Sequence, residues 1–241
     1  MRTDGHTRRF RIKIFADGAN LEEMVRAYRS GTVQGFTTNP TLMRKAGVTD
    51  YESFARKVLG EITDMPISFE VFSDEIDDMV RQARKIAAWG SNVYVKIPVT
   101  NTRGESTSGI VKRLSEEGIK LNITAILPME QVRHVTDSLA ERTPAIVSVF
   151  AGRIADTGRD PLPLMREALR IVQTKPSAEL LWASPREVLN IAQAEEMGCH
   201  IITVTNDLLK KVPVLGTDLT DLSLQTVKMF YDDASAAGYT L

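Results

Sequence analysis

Hydrophobic and polar positions follow two different periods along this chain of 241 residues. Short stretches that alternate with a period of two and are rich in β-branched residues predict β-strands, whereas apolar residues spaced three or four apart predict helices. The predicted strands span 11–16, 35–39, 67–72, 93–99, 120–127, 145–151, 179–184 and 200–206. The predicted helices span 21–29, 51–63, 74–89, 106–117, 129–141, 162–173, 185–197 and 219–237, with a short helix from 207.

Strict alternation of strand and helix at this length predicts an α/β protein, a single parallel (β/α)8 TIM barrel with an extra C-terminal helix. A doubly wound open sheet is the alternative, but no Gly-rich phosphate or dinucleotide motif follows any predicted strand. No Pro-, Gly- or Ser-rich linker interrupts the pattern. We therefore expect a polar arm at 1–10, the barrel at 11–218, and a C-terminal helix at 219–241 that docks on its own barrel or on a neighbouring subunit.

The predicted fourth strand, Val93–Val99, carries a lysine in an otherwise apolar stretch. With a period of two, Lys96 shares one face with Tyr94 and Pro98, while the β-branched residues share the other. A buried ammonium is costly, so such a lysine usually has partners or loses its proton, and a neutral amine is a nucleophile towards carbonyl groups. For an isolated strand the alternative is an edge lysine that reaches solvent.

The same parity, applied to the other strands, collects polar residues on the barrel axis. The clearly apolar face of each strand, including Leu121, Ile123 and Ala125 of the fifth, is assigned to the helices. Any one polar residue on the other face could be structural, since Asp17 could cap a turn and Thr124 could fill a core layer. As a set near the C-terminal strand ends they predict an active site. The set comprises Asp17, Thr37, Asn39, Ser68, Glu70, Lys96, Asn122, Thr124, Ser148 and Phe150.

Composition and charge limit the partners, the cofactors and the reaction types that the chain can use. A formal net charge of −1 gives no electrostatic case for nucleic acid or a membrane surface, and no window approaches the ~20 apolar residues of a membrane span. The single cysteine, Cys199, excludes an internal disulfide, and the three histidines show no metal-ligand spacing. We expect a cytoplasmic protein without metal or cofactor. An amine, two carboxylates and hydroxyls then suit carbonyl activation through a protonated Schiff base.

Five motifs, in order along the chain, resemble those of the transaldolase family. Asp17-Gly-Ala-Asn is similar to its Asp-Thr/Ser-Ala-Asn opening, and Gly35-Phe-Thr-Thr-Asn-Pro-Thr to its Gly-Val-Thr-Thr-Asn-Pro-Ser. Val95-Lys-Ile-Pro resembles the stretch that holds the Schiff-base lysine. Asn122-Ile-Thr-Ala-Ile and Ser148-Val-Phe-Ala-Gly-Arg-Ile resemble Asn-Val-Thr-Leu-Ile and Ser-Pro-Phe-Val-Gly-Arg-Ile. The resemblance implies a (β/α)8 barrel that moves a dihydroxyacetone unit from a ketose phosphate to an aldose phosphate.

The resemblance also implies roles for the catalytic residues. Lys96 would form the Schiff base, and Asp17 would be the acid/base for the hydroxyl whose loss of a proton drives cleavage. Glu70 and Thr124 would hold a water that shuttles protons.

Binding roles follow in the same way from the matched positions. Asn39 and Ser148 would bind the dihydroxyacetone hydroxyls, with Thr37 nearby. Arg153 would bind the phosphate of the sugar-phosphate donor or acceptor as a charge-assisted fork.

Two positions distinguish a transaldolase from a fructose-6-phosphate aldolase within this resemblance. The related fructose-6-phosphate aldolases tend to carry Gln and Tyr where this chain has Glu70 and Phe150, the transaldolase residues. A Tyr could activate a water that protonates the enamine and releases free dihydroxyacetone, whereas Phe cannot. The sequence therefore favours transaldolase, with the aldolase as one alternative and a non-catalytic sugar-phosphate-binding barrel as another.

One departure concerns the phosphate end of the pocket. The family usually has Ala-Ser-x-Arg or Ala-Ser-x-Lys after the seventh strand, whereas here Ala183-Ser184 runs into Pro185-Arg186. Ser184 matches, and Arg186, at the predicted start of a helix, is the candidate substitute for the basic residue. An unusual acceptor sugar, outside the central pentose phosphate route, would fit this change. The resemblance further implies a ring-like homo-oligomer, such as a decamer, with the C-terminal helix packed on a neighbour.

Overall fold

A computed structural model describes residues 10–240 and shows a closed barrel of parallel strands in which each strand pairs with its neighbours in sequence. β8 returns to pair with β1 over its whole length, from Lys13 opposite Ile201 to Asp17 opposite Thr205. Closure leaves every strand with a neighbour on each side. The strands are β1 Lys13–Asp17, β2 Gly35–Thr37, β3 Ile67–Glu70, β4 Val93–Pro98, β5 Leu121–Ile126, β6 Ala145–Val149, β7 Ala178–Trp182 and β8 Ile201–Thr205.

Helices connect the strands and surround the barrel. The predicted (β/α)8 fold is confirmed. The helices are α1 Leu21–Ser30, α2 Pro40–Lys45, α3 Tyr51–Glu61, α4 Ile76–Ala87, α5 Ser108–Glu116, α6 Met129–Ser138, α7 Ala151–Ala155, α8 Leu162–Val172, α9 Leu189–Glu196, α10 Asn206–Leu209 and α11 Leu219–Ala236, with a 3-10 turn at Val212–Val214. Among the described residues, no helix is both long and apolar enough to cross a membrane.

The strand parity separates two apolar regions, of which the sequence predicts only the one between strands and helices. Between strands and helices lies the large core, which includes Phe36, Phe69 and Trp182. Inside the barrel a smaller cluster of Phe15, Ile146, Leu181, Ala183 and Ile201 forms an apolar floor. Side chains fill such a barrel from within, so the space left for chemistry lies at the mouth, at the C-terminal strand ends.

Helix starts follow local capping. The Asn20 side chain accepts a hydrogen bond of 3.0 Å from the Glu23 amide and begins α1, which ends at Gly31 in the left-handed region (φ 66°). Asn39 begins α2 in the same way, with a bond of 2.9 Å from the Leu42 amide. Such caps satisfy amides that have no partner within the helix. The Asn39 cap lies two residues beyond the end of β2 and begins α2 beside the cavity.

Two expectations about the elements were wrong or incomplete. The short helices α2 and α7 follow β2 and β6 directly, where the sequence predicts none. The helix after β7 begins at Leu189 rather than Pro185, so Arg186 lies in the preceding loop. Residues 1–9 of the predicted polar arm lie outside the described residues.

A bulge in β5 overturns one parity assignment. The register between β5 and β6 shifts between Ile123 and Ile126, and Ala125 adopts a left-handed conformation (φ 61°). Ala125 was predicted to face the helices with Ile123, but it lines the cavity at the barrel mouth. An inserted residue reverses the alternation beyond it, so a strict period of two fails at this point.

Candidate active site

A cavity of about 540 Å³ opens at the C-terminal end of the barrel. It is the place where the fold gathers the strand ends and the loops that follow them. Every residue that the sequence singled out as catalytic or substrate-binding lines this cavity, although the roles assigned to them remain predictions. These residues are Asp17, Thr37, Asn39, Glu70, Lys96, Thr124, Ser148, Phe150, Arg153, Ser184 and Arg186.

Lys96 is held deep in the cavity. Its residue is only 6% exposed, and its Nζ donates a hydrogen bond of 2.8 Å to the main-chain carbonyl of Thr38. The carboxylate of Glu70, directly opposite on β3, lies 3.2 Å from the same nitrogen. Because β4 pairs with both β3 and β5, the solvent-reaching edge lysine is excluded. The arrangement is a buried, partnered amine at the point where a small molecule can reach it.

Asp17 lies at the end of β1 in the same cavity. The hydroxyl of Thr37 donates to its Oδ1 at 2.8 Å, and the hydroxyls of Thr37 and Thr203 are 2.5 Å apart. Burial raises the pKa of Asp17 above its ordinary value of 3.8, and the nearby Lys96 charge and the Thr37 bond oppose that rise. A carboxyl with a raised pKa takes up a proton more readily near neutrality, as a general base must.

A buried polar chain supports the other side of the cavity. The Asn122 amide donates to the Ser68 hydroxyl at 2.9 Å, and the Ser148 hydroxyl donates to the Asn122 carbonyl oxygen at 2.6 Å. The hydroxyl of Thr124, buried beside them, has no hydrogen-bond partner among the described residues. Because Thr124 lines the cavity, its hydroxyl can form a hydrogen bond with a ligand or a water there.

The loop after β7 shapes the opposite rim. Ser184 adopts a left-handed conformation (φ 61°), and its carbonyl would lie 1.5 Å from a Cβ at position 152, so only glycine fits there. Arg186 donates from Nε to Oδ1 of Asp156 at 2.9 Å and pairs with the second oxygen of that carboxylate as well. The Arg186 guanidinium holds the pKa of Asp156 below its usual range. Arg186 therefore reaches the cavity while already neutralised by a carboxylate.

Sequence reasoning missed several lining residues. Thr203 belongs to a strand segment whose polarity is visible in the sequence, and its inward position follows from the parity of β8. Lys45 reaches the cavity from the last turn of α2, and Ala125 reaches it through the bulge of β5. Neither the short helix nor the bulge leaves a periodic signal in the sequence.

A closed parallel barrel with a buried lysine, two carboxylates and hydroxyls at its mouth has the form typical of (β/α)8-barrel enzymes. The family model described as Transaldolase/Fructose-6-phosphate aldolase matches residues 14–240. The match covers nearly the whole chain, so the chain belongs to this family and is an enzyme of the aldolase/transaldolase type.

Curated relatives agree with this family. A protein of Dehalococcoides mccartyi named "Probable transaldolase" is 35% identical over 202 residues, which cover 83% of this chain and 90% of that protein. A protein of the same name from Bdellovibrio bacteriovorus is 35% identical over 229 residues, covering 94% of this chain and 99% of the relative. The chain thus matches these relatives over nearly their full length.

Solved structures resemble the fold at much lower identity. The crystal structure of KGPDC from Streptococcus mutans has a TM-score of 0.56 and 11% identity, and covers 85% of this chain and 92% of its own. A second crystal structure of that protein, determined as a complex, has a TM-score of 0.53 and 10% identity, with coverages of 80% and 88%. At this identity the likeness concerns the barrel alone.

The raised pKa of Asp17 predicts a pH-dependent change in stability. Below pH 3.8 the folded and unfolded carboxyls are both protonated, whereas the unfolded one ionises first as the pH rises. The native state therefore loses stability up to the folded-state pKa. Asp17→Asn, neutral at every pH, should gain stability over the wild type as the pH rises through this window. Denaturant unfolding across a pH series measures the difference.

Asp74→Asn is the matched control, for which the opposite dependence of stability on pH is expected. Hydrogen bonds from Thr102 lower the pKa of Asp74, so its carboxylate stabilises the fold above its ordinary pKa of 3.8 and loses that contribution as the pH falls. The control should be less stable than the wild type at neutral pH. A difference for Asp17→Asn that does not change with pH would contradict the assignment of a costly buried charge.

Proposed function

We propose that this enzyme is a transaldolase that carries a dihydroxyacetone unit on Lys96, from a ketose phosphate such as fructose 6-phosphate or sedoheptulose 7-phosphate to an aldose phosphate. The observation that carries the proposal is the buried Lys96 amine, bonded at 2.8 Å to Thr38 and 3.2 Å from Glu70, in one cavity with Asp17. An amine placed in this way can attack a carbonyl, and the resulting iminium can accept an electron pair.

In the first half-reaction the Lys96 amine attacks the keto carbon of the donor, and the carbinolamine loses water to give a protonated Schiff base. A water held between Glu70 and the Thr124 hydroxyl carries the protons between nitrogen and oxygen. Two observations support this role. Glu70 lies 3.2 Å from the amine, and the Thr124 hydroxyl has no hydrogen-bond partner among the described residues.

Asp17 then takes the proton of the β-hydroxyl, the bond between the α and β carbons breaks, and its electron pair moves into the iminium to form an enamine. The aldose phosphate leaves with a new carbonyl group. The raised pKa of Asp17 supports its role as the base. In the second half-reaction the enamine attacks the carbonyl of the acceptor, Asp17 returns the proton, and hydrolysis of the Schiff base frees the product.

The polar groups around Lys96 have capacity left for the substrate hydroxyls. Asn39 uses its carbonyl oxygen to cap α2, which leaves its amide N–H groups to donate. Ser148 donates to Asn122 and can still accept, and Thr37 adjoins Asp17. Arg153 lines the same cavity from α7, and we assign it to the phosphate.

The end of the cavity that would bind phosphate supports an acceptor sugar different from the usual one. Arg186 is paired with Asp156, so a phosphate that binds there must share or displace that carboxylate. Arg153 and Lys45 are further cations on the cavity wall. This redistribution of charge fits a transaldolase whose acceptor differs from that of the central pentose phosphate route.

The C-terminal helix supports the proposal of a ring-like homo-oligomer. No residue of α11 is buried. One of its faces carries large apolar side chains that are more than half exposed, since Val227 is 60%, Phe230 63% and Tyr231 72% exposed. Leu224 extends this face by a further turn. A contiguous exposed apolar patch is typical of an interaction site, and we propose a second copy of this chain as its partner.

Trapping with borohydride tests the Schiff base directly. Incubation with fructose 6-phosphate followed by borohydride should attach a reduced dihydroxyacetone unit to the peptide that contains Lys96, seen by peptide mass spectrometry. Lys96→Met is the blank and should give no adduct. Activity loss in this variant should be complete within detection, because the covalent step has no substitute. An active Lys96→Met enzyme would contradict the proposal.

Dependence on an acceptor separates transferase from aldolase. Fructose 6-phosphate alone should release no more than about one equivalent of aldose phosphate per subunit, because the enamine waits for an aldehyde. Phe150→Tyr should raise the release of free dihydroxyacetone by at least about tenfold, since the added hydroxyl can hold a water that protonates the enamine. Rapid acceptor-free turnover by the wild type would instead establish the aldolase alternative.

The oligomer proposal is tested on one face of α11. Val227→Asp places a charge in the centre of the exposed apolar face and should reduce the particle mass measured by light scattering or sedimentation. Gln225→Asp adds the same charge on the opposite side of the helix and should leave the mass unchanged. A wild-type chain that is monomeric at micromolar concentration would refute the proposal.

A further inference from the structure

The pairing between β2 and β3 stops early, beside the amine of Lys96. The strands pair at Phe36 opposite Ile67 and at Thr37 opposite Ser68. The last rung between them is the bond of 3.1 Å from the Thr38 amide to the Ser68 carbonyl. In a parallel ladder the next rung would run from the Glu70 amide to the Thr38 carbonyl. It is absent among the described residues, because both groups have other partners.

The phenol of Tyr51, on α3, takes the place of the missing rungs. The Glu70 amide donates to the Tyr51 oxygen at 2.7 Å, and the Tyr51 hydroxyl donates to the Glu70 carbonyl at 2.8 Å. The rung after that would need a donor at position 40, where Pro40 has no N–H. One side chain thus satisfies both main-chain groups of Glu70 that β2 leaves without a partner.

The Thr38 carbonyl is thereby free to accept the bond of 2.8 Å from Lys96 Nζ. A continued ladder would direct that carbonyl at the Glu70 amide, in the plane between the two strands. Tyr51 therefore acts on both partners of the lysine. It takes the Glu70 amide away from the Thr38 carbonyl, and it holds the main chain of Glu70, whose side chain lies 3.2 Å from Nζ. We propose that Tyr51 is a positioning residue, which fixes the Lys96 amine by replacing the last rungs between β2 and β3.

The surroundings of Tyr51 fit this role. Its ring packs edge-on against Phe69 and Phe72, with centroids 6.3 and 5.4 Å away, and tilted against Trp89 at 5.8 Å. These aromatic contacts fix the direction of the phenol. Burial raises the pKa of Tyr51 well above its ordinary value of 10.0, so the hydroxyl keeps its proton and can donate throughout the working pH range.

Tyr51→Phe removes the hydroxyl and keeps the ring. A crystal structure of the variant should show the Lys96 amine displaced from the Thr38 carbonyl, beyond hydrogen-bond distance, with the Glu70 amide turned to that carbonyl. The catalytic consequence rests on the proposed function. Displacement of the nucleophile should lower kcat and the rate of borohydride trapping by about tenfold or more, with KM changed by less than about twofold.

Val58→Ala is the matched control, since it removes buried volume from the same helix and retains the Tyr51 hydroxyl and its aromatic contacts. It should lower the Tm as Tyr51→Phe does, but leave kcat near the wild-type value. If Tyr51→Phe does not fold, Tyr51→His replaces it, because the shorter ring withdraws the polar atom from Glu70. The same displacement and loss of kcat are expected.

The outcomes separate this inference from the proposed function. A Lys96 amine that stays on Thr38 in the variant, or a fall in kcat no larger than that of Val58→Ala, overturns the positioning role. A wild-type enzyme that traps no donor refutes the Schiff-base proposal. The variant structure then still decides whether Tyr51 fixes the lysine, since that measurement needs no substrate.

Discussion

Enclosing a lysine amine at the mouth of a closed barrel imposes the strictest requirement on this structure. Every strand has two neighbours, so the main-chain groups of the wall are normally directed at one another along the ladder. Lys96 nevertheless needs an acceptor, because an unpaired buried ammonium is unstable. The structure supplies one by ending β2 early at Asn39 and Pro40, which releases the Thr38 carbonyl.

Other departures from regular geometry occur at the same end of the barrel. The bulge at Ala125 and the left-handed Ser184 both lie at the C-terminal ends of their strands, where they shape the cavity. The opposite end is regular and is closed by ordinary contacts, such as the ion pair of 2.8 Å between Lys13 and Glu179. Irregular backbone costs free energy, so its concentration at one end indicates that the regular half supplies stability for the functional half.

This division explains how much the sequence can predict. Period-two alternation correctly placed Lys96, Asp17 and Glu70 on the inner face of the barrel, because regular strands obey it. It failed at Ala125, where one inserted residue reverses the parity. The helix predicted to begin at Pro185 misplaced Arg186, which precedes α9 rather than beginning it. Period-two alternation could not predict the role of Tyr51, since contact between a helix residue and the end of a strand depends on tertiary packing rather than on local pattern.

The two ends of the cavity also differ in how firmly their charges are placed. The Lys96 amine and the Asp17 carboxylate each have defined partners among buried residues, so their geometry is fixed before any substrate arrives. At the rim, Arg186 is held by the half-exposed Asp156. An exposed ion pair is weak and exchanges partners readily, because solvent screens it and its side chains are flexible. A phosphate, with more acceptor oxygens and more charge than a carboxylate, can therefore compete for Arg186. The covalent step depends on rigid contacts, whereas the choice of acceptor depends on a pair that a ligand can rearrange.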